Sequence, residues 1–397
     1  MRSQCVDGRL VFGRGTRVYR AVLIGATGSG NYGHGLDRAW GLVPDVDVLA
    51  VADVDVDSAR VKADEIGAPE AFDDYGEMLE TVEPDFVTVC TRRPDAHLPM
   101  LKAAIEAGAR GIYCEKPFVC TPAEADEVIE AANRQGTRIQ IAHRRRVDPS
   151  VLRVIELVET GEIGRLVSMH TTGKNDDRRG GAEDLAVLGV HFMDLMRQIA
   201  GDPLHVKSDV FQSGRSVVLP DVYEGNEGIG PIAGDQIFAA FVFRRGIVGT
   251  FSSVRASEGG QREMGIELRG TAGMISLRGG GPASEQTVLI HRRPTDDPSG
   301  ESDWEPVEVT QLRWDGEVRS NEPADLAQLL HTAMVRDLLD AVEQGRRPIC
   351  DGIDGRWAIE MVMGIHEAGL TQQALKFPLA TRENPYSAHR ETALATI

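Results

Sequence analysis

Between Arg17 and Ala142 the chain alternates short apolar runs with longer amphipathic stretches. Ala21-Val22-Leu23-Ile24 is continuously apolar, as is Val46 to Ala52, which ends at Asp53. Three further runs, at 85–90, 111–114 and 138–142, complete the series. Such runs predict strands buried on both faces of a parallel sheet. Helical periodicity separates them from Leu98 to Ala107, stopping at Gly108, and over the Ala/Glu-rich 122–135. The glycine-rich segment after the first run is read as a turn leading into a helix. Strand-helix alternation of this kind predicts a doubly wound parallel sheet.

After Pro149 the texture changes. Helices are expected at 150–160 and 183–200, with a strand from Leu166. Strands then follow one another at 204–211, 236–244, 247–253, 263–269 and 273–278 without intervening helices, which predicts an open, mostly antiparallel sheet in an α+β domain. Ile237-Phe238-Ala239-Ala240-Phe241-Val242-Phe243 is apolar at both alternating sets of positions. Its second face calls for cover from a second subunit or from the monomer itself. The segment 281–322 reads as a hairpin excursion, and helices are expected at 324–343 and 354–371. The resulting division is a leader over 1–16, a first domain over 17–147, a second over 148–380 and a polar tail over 381–397.

Acidic residues outnumber basic ones 61 to 43, giving a net charge of −18. That field disfavours nucleic acid and anionic membrane surfaces as partners. The five cysteines have no metal-ligand spacing, and no metal site is expected from the sequence. The odd cysteine count and the lack of a signal-peptide pattern make the cytoplasm the expected compartment.

Candidate chemistry begins where the first strand ends, in Gly25-Ala26-Thr27-Gly28-Ser29-Gly30. Glycines at a strand end let backbone N–H groups approach a pyrophosphate. The strict G-x-G-x-x-G pattern is broken by Thr27 at its second glycine. Asp53 lies 23 residues beyond Gly30, near the spacing of an acid that accepts hydrogen bonds from ribose hydroxyls. A carboxylate there repels a 2′-phosphate, so NAD is expected in preference to NADP. The competing reading places Asp53, Asp55 and Asp57 in a solvated turn. The first domain is thus expected to be a Rossmann dinucleotide-binding domain.

Further motifs accompany this turn: Thr91…Pro94…His97 after the third run, Cys114-Glu115-Lys116-Pro117 after the fourth, Arg146…Pro149, and Gly161-Glu162-Ile163-Gly164. Leu188-Gly189-Val190-His191…Asp194, Gly270-Thr271-Ala272-Gly273 and Gly345-Arg346-Arg347-Pro348 follow in the same order. In this order and spacing the chain resembles the glucose–fructose oxidoreductase/inositol dehydrogenase (Gfo/Idh/MocA) family from residue 17 to 378. The resemblance implies an N-terminal Rossmann domain and an α/β domain whose open sheet often forms the subunit interface. A homodimer or homotetramer is the expected assembly. It also implies that Glu115 and Lys116 lie beside the nicotinamide ribose, with Lys116 touching the reacting hydroxyl. Gly25, Thr27, Gly28, Ser29, Gly30, Asp53, Thr91 and His97 complete the expected cofactor set. A desolvated Lys at such a place is suited to proton transfer.

His191 matches the family's active-site histidine. Asp184, seven residues earlier, and Asp194, three later, are expected to share its helix face. Many members carry an Asp four residues before that histidine; here the position is Val187, and either Asp184 replaces it or Lys116 and His191 work without it. Lys174, in a polar loop with Asn175, Asp176 and Asp177, is either a substrate contact or part of a solvated loop. His143, Arg144 and Arg145 line a cleft or make hinge salt bridges. The expected activity is NAD-linked oxidation of a secondary alcohol on a sugar, polyol or sugar acid, with Lys116, His191 or both taking the proton. A second hypothesis is glycoside processing through transient oxidation and elimination. A third is a non-catalytic dinucleotide or sugar sensor.

Overall fold

The computed structural model describes residues 4–6, 9–11, 17–255, 264–279, 287–292, 304–310, 312 and 325–395. Contacts divide the chain into two compact units: residues 1–147 with 310–356, and residues 148–309 with 357–397. The chain leaves the first unit after Val147 and returns to it over 310–356, where the sequence predicts one continuous domain over 148–380.

The first unit holds a six-stranded, all-parallel sheet. Its elements are β1 (Tyr19–Ile24), β2 (Val46–Ala52), α1 (Val56–Ile66), β3 (Glu70–Phe72), α2 (Tyr75–Val82), β4 (Phe86–Val89), α3 (Pro94–Glu106), β5 (Gly111–Cys114), α4 (Pro122–Gln135) and β6 (Arg138–Ile141). The strand order is β3-β2-β1-β4-β5-β6, the doubly wound order of dinucleotide-binding domains. β4 and β5 are buried at every position, which is why they read as unbroken apolar runs. Capping fixes the helix starts: Thr121 and Glu124 close a capping box on α4, and Asp55 accepts from Ser58 N on α1.

One expected helix is missing. After β1 the chain forms turns, with only the one-turn 3-10 helix Leu36–Arg38 before β2. Gly30 (φ +94°) and Gly33 (φ +67°) occupy left-handed conformations that no α-helix contains. Leu36 and Trp40, both fully buried, provide apolar cover within this segment. The Trp40 indole N–H donates to Thr88 Oγ1 at 2.8 Å.

α8 (Leu326–Gln344) packs on β5 and β6 in this unit. Tyr113 O–H meets His331 Nδ1 at 2.6 Å, Gln140 Nε2 donates to Met334 O at 2.7 Å, and Thr332 Oγ1 donates to Ala39 O at 3.0 Å. The leader, expected to lack regular structure, contains an antiparallel pair, Gln4–Val6 with Arg9–Val11.

The second unit is built on a mixed sheet, with α5 (Pro149–Glu159), β7 (Leu166–Thr172), α6 (Ala182–Asp184), α7 (Val190–Ala200), β8 (Pro203–Gln212), β9 (Gln236–Phe243), β10 (Val248–Val254), β11 (Gly265–Gly270), β12 (Met274–Arg278) and β13 (Thr287–His291). The order across it is β8-β9-β10-β7-β11-β12-β13, antiparallel except for the β10–β7 pair. In β9, Ile237, Ala239, Phe241 and Phe243 are buried while Phe238 is 46% exposed. One face therefore packs on the core with Phe192, Met193 and Met196 of α7, and the other faces outward. The helix α9 (Gly352–Thr371) carries the chain into this unit, and α10 (Pro385–Ala395) follows within the expected polar tail, with Tyr386 fully buried. Most of the expected 281–322 hairpin lies outside the described residues. Among the described residues no helix is long and apolar enough to cross a membrane.

Candidate active site

The first unit brings most of the expected cofactor residues to the C-terminal ends of β1, β4 and β5, where doubly wound sheets bind ligands. The glycine turn closes as a tight loop: Asn31 N and Ser29 N both donate to Ala26 O, at 2.8 and 2.9 Å. Thr91, fully buried, donates through Oγ1 to Ser29 O at 2.7 Å. A Cβ at Gly30 would stand 2.5 Å from Arg92 N, so glycine there lets the turn press against the segment after β4. Gly28 is exposed, and a Cβ added there would meet nothing within 4 Å.

Three expected residues have structural roles in the folded protein. The space a Gly25 side chain would fill is taken by the Tyr32 ring, 2.3 Å from an added Cβ, so Gly25 accommodates Tyr32. Asp53 is only 2% exposed and braces the turn from within: Oδ2 accepts from Thr27 N at 2.9 Å and Thr27 Oγ1 at 2.8 Å, and Oδ1 from Asp55 N at 3.2 Å. This burial excludes the solvated turn that the competing reading offered and holds the carboxylate at the end of β2. His97 is fully buried with Nε2 2.7 Å from Thr91 O and Nδ1 2.9 Å from Phe118 O, so it ties two loops together and offers nothing to a ligand.

Glu115 and Lys116 form the polar centre of this unit. The Lys116–Pro117 peptide is cis. Glu115 is 1% exposed; its Oε1 lies 2.9 Å from His34 Nδ1 and 3.9 Å from Lys116 Nζ. Burial opposes ionisation of Glu115, but His34 and Lys116 overcome it and hold its pKa down to about 2. His331 on α8, also buried, is pushed down to about 3 by desolvation and by the nearby Arg144 cation. It is therefore neutral and hydrogen-bonded to the Tyr113 hydroxyl, whose own pKa burial raises. Gly33 packs closely here too: a Cβ would come within 3.2 Å of Glu115 Oε2. Neither His34 nor His331 carries a sequence signal, because their partners are distant along the chain.

The remaining candidates lie in the second unit. A π-helical turn, Leu185–Gly189, joins α6 to α7 and contains Val187. Its wider winding shifts everything beyond it around the axis, so Asp184 and His191 do not share the face that regular spacing predicts. Asp184 is fully buried; Oδ2 accepts from Ser253 Oγ at 2.7 Å and Lys174 N at 2.8 Å, while Oδ1 has no partner. Desolvation raises its pKa. Asp184 thus fastens the 173–174 turn to β10 instead of orienting His191. His191, half-buried, lies in the first turn of α7, and Asp194 is buried on the same helix. Lys174 meets Asp184 through its backbone, not its ammonium group.

Comparison with known proteins agrees with this layout. Residues 19–143 match the model of an oxidoreductase family with an NAD-binding Rossmann fold, and residues 155–376 match that family's C-terminal alpha/beta domain. The myo-inositol 2-dehydrogenase of Thermotoga maritima is 27% identical over 260 residues, 64% of this chain and 74% of that protein. A levoglucosan dehydrogenase solved with NADH and L-sorbose superposes with a TM-score of 0.71 at 18% identity, covering 92% of this chain and all of that one. An Agrobacterium radiobacter oxidoreductase solved with NAD+, L-tartaric acid and magnesium gives 0.67 at 16% identity, covering 90% and 98%. At such identities the two structures speak for the fold alone. With both family models matched in order along most of its length, the chain belongs to the Gfo/Idh/MocA oxidoreductases and carries their NAD-binding Rossmann domain.

Proposed function

We propose that the protein is an NAD-linked dehydrogenase of a secondary alcohol on a sugar, polyol or sugar acid. The observation that carries this reading is the buried Glu115–Lys116 pair, set beside the glycine turn in a domain of the NAD-binding family. The names of the relatives, an inositol dehydrogenase and a levoglucosan dehydrogenase, support the substrate class.

The turn fits a dinucleotide diphosphate at Gly28, whose missing side chain leaves open space, and at Gly30. Ser29 and Thr91 support it from behind. Bound NAD would supply the hydride acceptor. In its neutral amine form Lys116 would take the hydroxyl proton, and the carboxylate of Glu115 would stabilise the ammonium that forms. His34 keeps Glu115 ionised and fixed for that task. His191 and Lys174 of the second unit are the substrate-contacting candidates, His191 as a second proton acceptor. Asp53 keeps a carboxylate at the end of β2, followed by Val54, Asp55, Val56 and Asp57 without a cation. NAD should therefore be preferred to NADP by about tenfold or more, read as the ratio of kcat/KM values.

The test is a panel of polyols, aldoses, sugar acids and glycosides offered with NAD, followed by nicotinamide absorbance and product mass together. One NADH per oxidised substrate supports dehydrogenation. Glycoside cleavage without net NADH would replace it with the transient-oxidation reading, which Val187 in place of the usual Asp leaves open. Binding without turnover across the panel would leave a sensor. We further propose a homodimer or homotetramer formed through the outward sheet face bearing Phe238, which is 46% exposed. Sedimentation should show Phe238→Glu shifting the protein toward the monomer, and a monomeric wild type would contradict this.

A further inference from the structure

In a doubly wound domain the helix after the first strand points its positive end at the diphosphate. This chain has no such helix; turns and a single 3-10 turn fill its place. A dianionic bridge approaching a protein of net charge −18 then lacks its usual compensation. A fixed positive charge at the turn would restore it.

Arg92 meets that requirement. Its backbone N lies against Gly30, 2.5 Å from where a Cβ would be, and the preceding Thr91 holds the turn through Ser29 O. The Arg92 Nε is buried without a hydrogen-bond partner, and the side chain makes no ion pair with any described residue. A buried guanidinium N–H left unmatched is costly. The adjacent Arg93 shows the contrast, since its guanidinium is bound by Asp95 at 3.0 and 2.5 Å. Two neighbouring arginines thus face one local carboxylate, and the second is uncommitted.

We infer that Arg92 is the diphosphate-binding residue of this protein, replacing the missing helix end with a charge-assisted hydrogen bond. The inference rests on the dinucleotide reading above and adds a residue that the glycine pattern does not include. Guanidinium suits this task because its fork of donors matches phosphate oxygens. The contact carries no information about the sugar substrate, so it governs cofactor retention.

NADH binding, followed by nicotinamide fluorescence, tests this with wild type, Arg92→Ala and Arg92→Lys. Arg92→Ala should weaken NADH about ten- to hundredfold, with Arg92→Lys between them. The ligand-free melting temperature should not fall, and the NADH-induced rise in it should shrink in Arg92→Ala. NADPH should lose affinity by the same factor, because both dinucleotides share the diphosphate. Equal NADH affinity in wild type and Arg92→Ala would overturn the assignment. A loss confined to NADPH would also overturn it, placing Arg92 at a 2′-phosphate. If the wild type failed to bind NADH, the dinucleotide reading itself would fall, and this inference with it.

Discussion

Two buried carboxylates, one in each unit, meet opposite fates. Glu115 is sealed in the first unit but faces His34 and Lys116, and it stays ionised with a pKa near 2. Asp184 is sealed in the second unit with a hydroxyl and one backbone amide for company, and its pKa rises. Burial alone pushes any carboxyl toward neutrality; at Glu115 the charge and hydrogen bond of its partners outweigh it, and at Asp184 they do not. Glu115 is thereby a charge that can act on Lys116, whereas Asp184 is a hydrogen-bonding brace. The same residue class at equal depth thus divides into chemistry and architecture according to its partner.

The sharpest way to break this contrast is Lys116→Ala. Turnover should fall by about a hundredfold or more, with NADH affinity little changed. Unchanged turnover would move the proton-accepting role away from this unit.

The next largest effect is on acid stability. His331 is neutral in the folded protein down to about pH 3, whereas the unfolded chain protonates near 6.5. Its contribution is present above pH 6.5 and is lost as pH falls through that value toward 3. The loss by pH 5 is about 2 kcal/mol. Glu115 adds a further loss between about 4.5 and 2, because its folded pKa is depressed. Asp184 acts in the opposite sense: with its pKa raised, proton uptake favours the folded state. Urea unfolding of wild type and His331→Asn at pH 8 and pH 5 should show the pH difference shrinking in the variant.

The smallest effect sharpens the comparison from the other side. Asp184→Asn keeps a hydrogen-bonding isostere and should change kcat by less than about threefold. Asp184→Ala leaves Ser253 and the Lys174 amide unmatched and should cost about 1–3 kcal/mol of stability. A large kcat loss in Asp184→Asn with unchanged stability would return Asp184 to catalysis.

How much of this was legible in the sequence depended on the range of the interaction. β4 and β5 announced themselves because every side chain is buried, and the glycine turn because a run of glycines at a strand end is a local signal. The helix expected after that turn failed for an equally local reason, since left-handed glycines interrupt it. The expected tail concealed α10, whose anchor, Tyr386, depends on packing that no short pattern records. The return of α8 to the first unit rests on pairs such as Tyr113 with His331, more than two hundred residues apart. The π turn at 185–189 hid behind an ordinary apolar stretch and displaced Asp184 from the expected face of His191. Arg92 left one trace, a doubled arginine followed by a single Asp, which gains meaning only when Gly30 is seen against it.

A crystal of the protein soaked with NAD tests the central claim most directly. The account predicts the diphosphate over Gly28 and Gly30, and the nicotinamide beside Lys116. A turn that stays bare at saturating NAD, or a dinucleotide bound elsewhere on the first unit, would contradict it.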